Sequence, residues 1–97
     1  MDQDMKIKWL DSLRSGDYQQ GREHLYRDGK YCCIGVLISC VHEKVGTEVY
    51  RVGYQRVEPI IGINNADTLV EMNDGRGKFI NNPQTFEQIA AYIEANL

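Results

Sequence analysis

The segment Tyr31–Cys40, YCCIGVLISC, constrains this chain more than any other. From Cys33 the run CIGVLISCVHEKVG is apolar at nearly every position and ends at Gly46. A surface helix keeps one polar face, whereas a helix that is apolar all round has to be covered on every side. The length of the run and its terminal glycine favour a helix over a strand. A chain of 97 residues has room for one core. That helix is therefore expected to be its axis, with the other elements packed around it. Gly35 within it costs up to about 1 kcal/mol against alanine, which implies close approach by another segment.

All three cysteines, Cys32, Cys33 and Cys40, fall in this stretch. Cys33 and Cys40 stand seven residues apart, roughly 10 Å of helical rise, too far for a disulfide. Zinc wants four ligands, commonly in C-x2-C or H-x3-H pairs, and Cys32, Cys33, Cys40, His24 and His42 include no such pair. A reactive thiol would need a nearby base and a lowered pKa, which a helix start near Cys32 and Cys33 could assist. Buried free cysteine is nevertheless among the commonest core residues, and core packing is the reading adopted.

The covering elements can be read around this axis. Met5, Trp9 and Leu13 recur at helical spacing, with Leu10 beside them, and predict a first helix over Asp4–Ser15, capped by Asp4 and ended by Gly16. Asp28-Gly29 between HLYR and KYCC predicts a two-residue hairpin. TEVYRVGYQRV, residues 47–57, is β-branched and aromatic and reads as one strand or two short ones. NNADTLVEMNDG is expected to hold a short helix capped by Asn64 or Asn65 and stopped at Asn73-Asp74-Gly75. Phe86, Ile89, Ala90, Ile93 and Leu97 mark a last helix, with a Thr85/Gln88 capping box and Pro83 suited to its first turn. The expectation is an α+β fold: one domain over residues 1–97, with three to four helices packed on a short hairpin or antiparallel sheet.

Composition narrows the function. A net charge of −3 gives no broad field for binding nucleic acid or an anionic membrane, though local arginines can still build an anion site. No apolar run approaches the roughly 20 residues of a membrane span, and the N-terminus lacks a signal-peptide core, so a cytoplasmic protein is expected. Neither glycine-rich stretch follows a known nucleotide-loop spacing, no cofactor or metal is indicated, and His24 and His42 lack triad partners at motif spacing. The loop LRSGDYQQGREHLYR gathers Arg14, Tyr18, Gln19, Gln20, Arg22, Tyr26 and Arg27 around two glycines. It offers guanidinium forks, amides and aromatic faces, the groups that recognise phosphate, carboxylate and base. MNDGRGKF adds Asn73, Asp74 and Arg76. The candidate ligand-binding set is Arg14, Tyr18, Gln20, Arg22, Tyr26, Asn73, Asp74 and Arg76, with no catalytic residue assigned.

Trp9, Leu13 to Gly16, Tyr18, Gln20, Leu25, Tyr31 to Leu37, Asn73, Asp74, Phe86, Ile89, Ala90, Ile93 and Glu94 together resemble the signature of a family of small phage and prophage proteins. The match covers both ends, about half the chain. Met72 replaces a leucine, and GRGKFINNPQ looks like an insertion. The resemblance implies an accessory protein acting in a bacterial host's cytoplasm. Such proteins are often counter-defence factors. The first reading is a non-enzymatic, homo-oligomeric binder that sequesters an anionic, nucleotide-derived immune signal. The alternatives are an inhibitor that binds a host defence protein, and a small phosphodiesterase using His24 or His42.

Overall fold

The computed structural model describes residues 1–42 and 57–97, the backbone of His42 included but not its side chain. The apolar run forms helix α2, Cys33–His42, and every residue from Cys33 to Cys40 is buried. Helix α1 (Gln3–Ser15) covers one side of it with Trp9, Leu10 and Leu13. Helix α3 (Ile63–Asp74) covers another with Ala66, Leu69 and Met72. Helix α4 (Phe86–Asn96) brings Phe86, Ile89, Ala90 and Ile93 against α1 and α3 and into the same core. Each buried leucine or isoleucine here is worth roughly 1.5–3 kcal/mol of transfer free energy, so this encasement is the main stabilising contact set. Trp9 adds a directional tie: its indole Nε1–H donates to the Cys33 carbonyl at 2.9 Å, locking α1 to the first turn of α2. Among the described residues no helix is long and apolar enough to cross a membrane.

The fold is α+β. Strands β1 (Gln19–Gln20), β2 (Tyr26–Arg27) and β3 (Lys30–Tyr31) form a small sheet in the order β1-β3-β2. The expected hairpin is present. Its turn residues Asp28 and Gly29 both have positive φ, 52° and 80°, the backbone that a two-residue hairpin demands. The sheet is mixed and not purely antiparallel as expected, because β1 pairs in parallel with β3, with Gln19 opposite Lys30 and Gln20 opposite Tyr31. A parallel two-residue pairing has no local turn signature, so nothing in the sequence announces it.

Several boundaries differ from expectation for identifiable reasons. Asp2, not Asp4, caps α1, accepting from Met5 N–H at 2.9 Å, and Gly16 ends the helix as expected. Neither Asn64 nor Asn65 caps α3. Gly62 occupies that position, and the Asn65 amide donates to Ile61 O at 2.8 Å, at the end of a helical stretch over residues 57–61. Val57, assigned to a strand from sequence, is helical and fully buried, while the rest of that expected strand lies outside the described residues, as does the end of the second helix beyond His42. Pro83 precedes α4 instead of entering its first turn. The capping box of Thr85 and Gln88 is formed as expected. The insertion-like stretch makes a single 3-10 turn, Gly77–Phe79.

Gly35 explains how the fold presents its loop. A Cβ at this position would overlap the backbone carbonyl of Leu25. The same Leu25 carbonyl accepts from Cys32 N–H at 3.2 Å. The segment between β1 and β2 is thus laid directly on the start of α2, with no side chain between.

Candidate functional site

Asn73, near the end of α3, is fully buried and uses its whole amide. Its Oδ1 accepts from Gln20 Nε2 at 3.0 Å and from Cys33 N–H at 3.3 Å. Its Nδ2 donates to Gly21 O and to Asp74 Oδ1, both at 2.9 Å. Gln20 extends the network: Nε2 also donates to Gln84 O at 2.8 Å, and Oε1 accepts from Phe86 N–H at 3.2 Å. Two amides therefore join the β1 loop, the start of α2, the end of α3 and the start of α4. Amides satisfied in this way, Asn73 buried and Gln20 half-buried, are not free to bind a ligand. They hold the frame.

Asp74 is the outward arm of this hub. Its Oδ1 also accepts from Glu23 N–H at 2.9 Å. Glu23 has φ 69°, a left-handed backbone that is uncommon for a residue other than glycine and costs of order 1–3 kcal/mol. The carboxylate bond holds that bend in place. The loop from Gly21 to Leu25 is consequently a fixed structure, anchored by Asn73 at Gly21, by Asp74 at Glu23 and by Gly35 at Leu25.

Two hollows flank this loop and share His24. The first, of about 160 Å³, is lined by Gly21, Arg22, His24, Arg27, Asp28 and Lys30. Arg27 and Lys30 are directly opposed across the hairpin, so their side chains share one sheet face. A Cβ at Gly21 would stand 2.8 Å from Lys30 Cβ, so glycine keeps this space open. Arg27 NH1–H donates to His24 Nε2 at 3.0 Å, and its Nε lies 3.7 Å from Asp28 Oδ2. The second hollow, of about 220 Å³, is lined by Glu23, His24, Leu25, Cys32, Val70, Asp74 and Arg76. Across it, Arg76 and Glu23 stand 4.0 Å apart.

The residues singled out from sequence thus separate. Arg22 lines the first hollow, and Asp74 and Arg76 line the second. Gln20 and Asn73 belong to the buried hub. Tyr18 and Tyr26 are half-buried and meet Tyr31 edge-on, with centroids 5.0 and 4.9 Å away, on the sheet face opposite Arg27 and Lys30. Burial raises the Tyr18 hydroxyl's pKa, with smaller contributions from Cys40 and Asp17. Arg14 reaches α4 instead, donating to Glu94 Oε2 at 3.2 Å, and lines neither hollow. Arg27 and Lys30 complete the cationic cluster, with His24 beside them accepting from Arg27, and none of the three was in the candidate set. The hairpin could have supplied the missing pair, because residues flanking a two-residue turn share a face.

The three thiols are free and buried, as the core reading expects. Cys32 stands at the entry to α2, where its Sγ accepts from Gly35 N–H at 3.4 Å, a bond that favours thiolate. Burial outweighs it and pushes the Cys32 thiol up to about 11. Cys33 is likewise raised well above the ordinary range by burial. Neither is an activated nucleophile at neutral pH.

The model of a protein family, described as a domain of unknown function, DUF8296, matches residues 1–52, more than half of the chain. The chain belongs to this family. The matched segment contains Trp9, Gln20 and the cations of the first hollow, whereas the hub partner Asn73 lies beyond it. No curated protein and no solved structure matches the chain.

Proposed function

We propose that this protein is a non-enzymatic binder of an anionic small molecule, held in the first hollow by Arg22, Arg27 and Lys30. One observation carries the reading. Arg27 and Lys30 are like charges directly opposed on the antiparallel pair β2–β3, an arrangement that is destabilising unless something anionic lies between or beside them. Asp28 offsets this only weakly, since its contact with Arg27 is long and exposed. A phosphate would accept from both guanidinium groups and the ammonium at once, replacing repulsion by charge-assisted hydrogen bonds. The rigid loop beneath lowers the ordering cost of binding.

The resemblance to phage and prophage proteins supports a setting for this activity: sequestration of a nucleotide-derived immune signal in the bacterial cytoplasm. A hollow this small would be supplemented by a second copy of the chain, which is why a homo-oligomer is part of the reading. Native mass spectrometry tests it, on protein purified from a bacterium with active nucleotide-signalling defence. The expected spectrum shows the protein or its oligomer carrying a small molecule that heating releases unchanged. The Arg22→Glu/Arg27→Glu variant should come through bare. Release of only degraded ligand would favour the phosphodiesterase alternative. A stoichiometric host protein in place of a small molecule would favour the inhibitor.

A further inference from the structure

We propose that the ligand is a nucleoside monophosphate-type molecule lying across both hollows, with its phosphate in the first and its nucleoside in the second. This deepens the anion-binding reading and rests on it. Small-molecule sites usually occupy some 300–1,000 Å³. The hollows, about 160 and 220 Å³, each fall short of that range, and His24 lines both, so a ligand of ordinary size would draw on the two together.

Their chemistries are complementary and unequal. Among the described residues the first is lined by three permanent cations, Arg22, Arg27 and Lys30, and one carboxylate, Asp28. The second has an apolar floor of Leu25, Cys32 and Val70 and a rim of Glu23, Asp74 and Arg76, in which acid exceeds base. A second phosphate there would be repelled. An uncharged ring system with N–H and O–H donors would instead cover the apolar floor and donate to the carboxylates. Asp74 has one oxygen, Oδ2, outside the hydrogen bonds to Glu23 and Asn73. A molecule with one anionic end and one donor-rich, partly apolar end fits this pair. Inorganic phosphate and polyphosphates do not.

Isothermal titration with GMP and with inorganic phosphate tests the assignment on the full chain. GMP is expected to bind at least about tenfold tighter than phosphate, the advantage of one or two hydrogen bonds to carboxylate plus apolar cover. Val70→Tyr should fill the second hollow, lowering GMP affinity to that of phosphate while leaving phosphate binding unchanged. Should that variant fail to fold, Glu23→Gln removes a rim charge at an exposed site and should weaken GMP several-fold without altering phosphate. Equal binding of GMP and phosphate overturns the two-hollow assignment and leaves the anion site standing. Failure of both to bind at millimolar concentration, or binding that survives Arg22→Glu/Arg27→Glu, overturns the anion site and this assignment together.

Discussion

The Asn73–Gln20 hub and the Arg22–Arg27–Lys30 hollow lie on two sides of one loop and are both built from polar side chains, yet they do opposite work. In the hub every amide atom has a partner within the chain, so its polarity is consumed by the fold. In the hollow the cations outnumber their partners among the described residues and face solvent, so their polarity remains available. The difference teaches that residue type marks a candidate, while burial and satisfaction decide whether it serves the frame or a ligand.

The sharpest break in this comparison would come from Asn73→Leu, which keeps the side chain's approximate size and removes its hydrogen bonds. It strands Cys33 N–H and Gly21 C=O and removes one of the Gln20 amide's three bonds, and a loss of roughly 3–5 kcal/mol is expected. Urea denaturation measures it. A loss below about 1 kcal/mol would show that the hub is replaceable by water and erase the contrast with the hollow.

The thiols probe the same divide, because Cys32 lines the second hollow yet is held as a core residue. Its folded value is raised from 9.0 to about 11. A raised thiol keeps its proton where the unfolded chain has lost it. Its contribution is therefore fully present below pH 9 and lost as pH rises through about 11. Two pKa units correspond to about 2–3 kcal/mol at full ionisation. Denaturation midpoints measured from pH 7 to 11 should fall over the upper half of that interval. A flat profile would mean that Cys32 is solvated like the hollow above it.

The smallest effect separates Arg14 from the other arginines. Arg14 pairs with Glu94 at a partly exposed site, so Arg14→Ala should cost less than about 1 kcal/mol. It should leave GMP and phosphate titrations unchanged, whereas Arg22→Glu/Arg27→Glu abolishes both with little effect on stability. An Arg14→Ala variant that lost binding would move the site to the α1–α4 side.

Much of the fold was legible. The α2 axis, the stripes of α1 and α4, the Thr85 capping box and the Asp28-Gly29 turn all rest on interactions within a few residues, and those spacings are written in the chain. Free, buried cysteines followed from the same local logic. The candidate site was legible only as a neighbourhood. Gln20 and Asn73 stand 53 residues apart, and nothing local tells whether their amides will find each other or water.

The sequence by itself determined that this chain closes around one apolar helix, because CIGVLISC admits no exposed face. It also determined a hairpin that puts Arg27 opposite Lys30, because Asp-Gly permits one tight turn. Only the tertiary structure decided which polar residues would be consumed. The meeting of Gln20, Asn73, Gly21 and Cys33, the bend of Glu23 held by Asp74, and the parallel β1–β3 pair are long-range contacts. Their energy comes from desolvating partners that the chain brings together only when the core has closed.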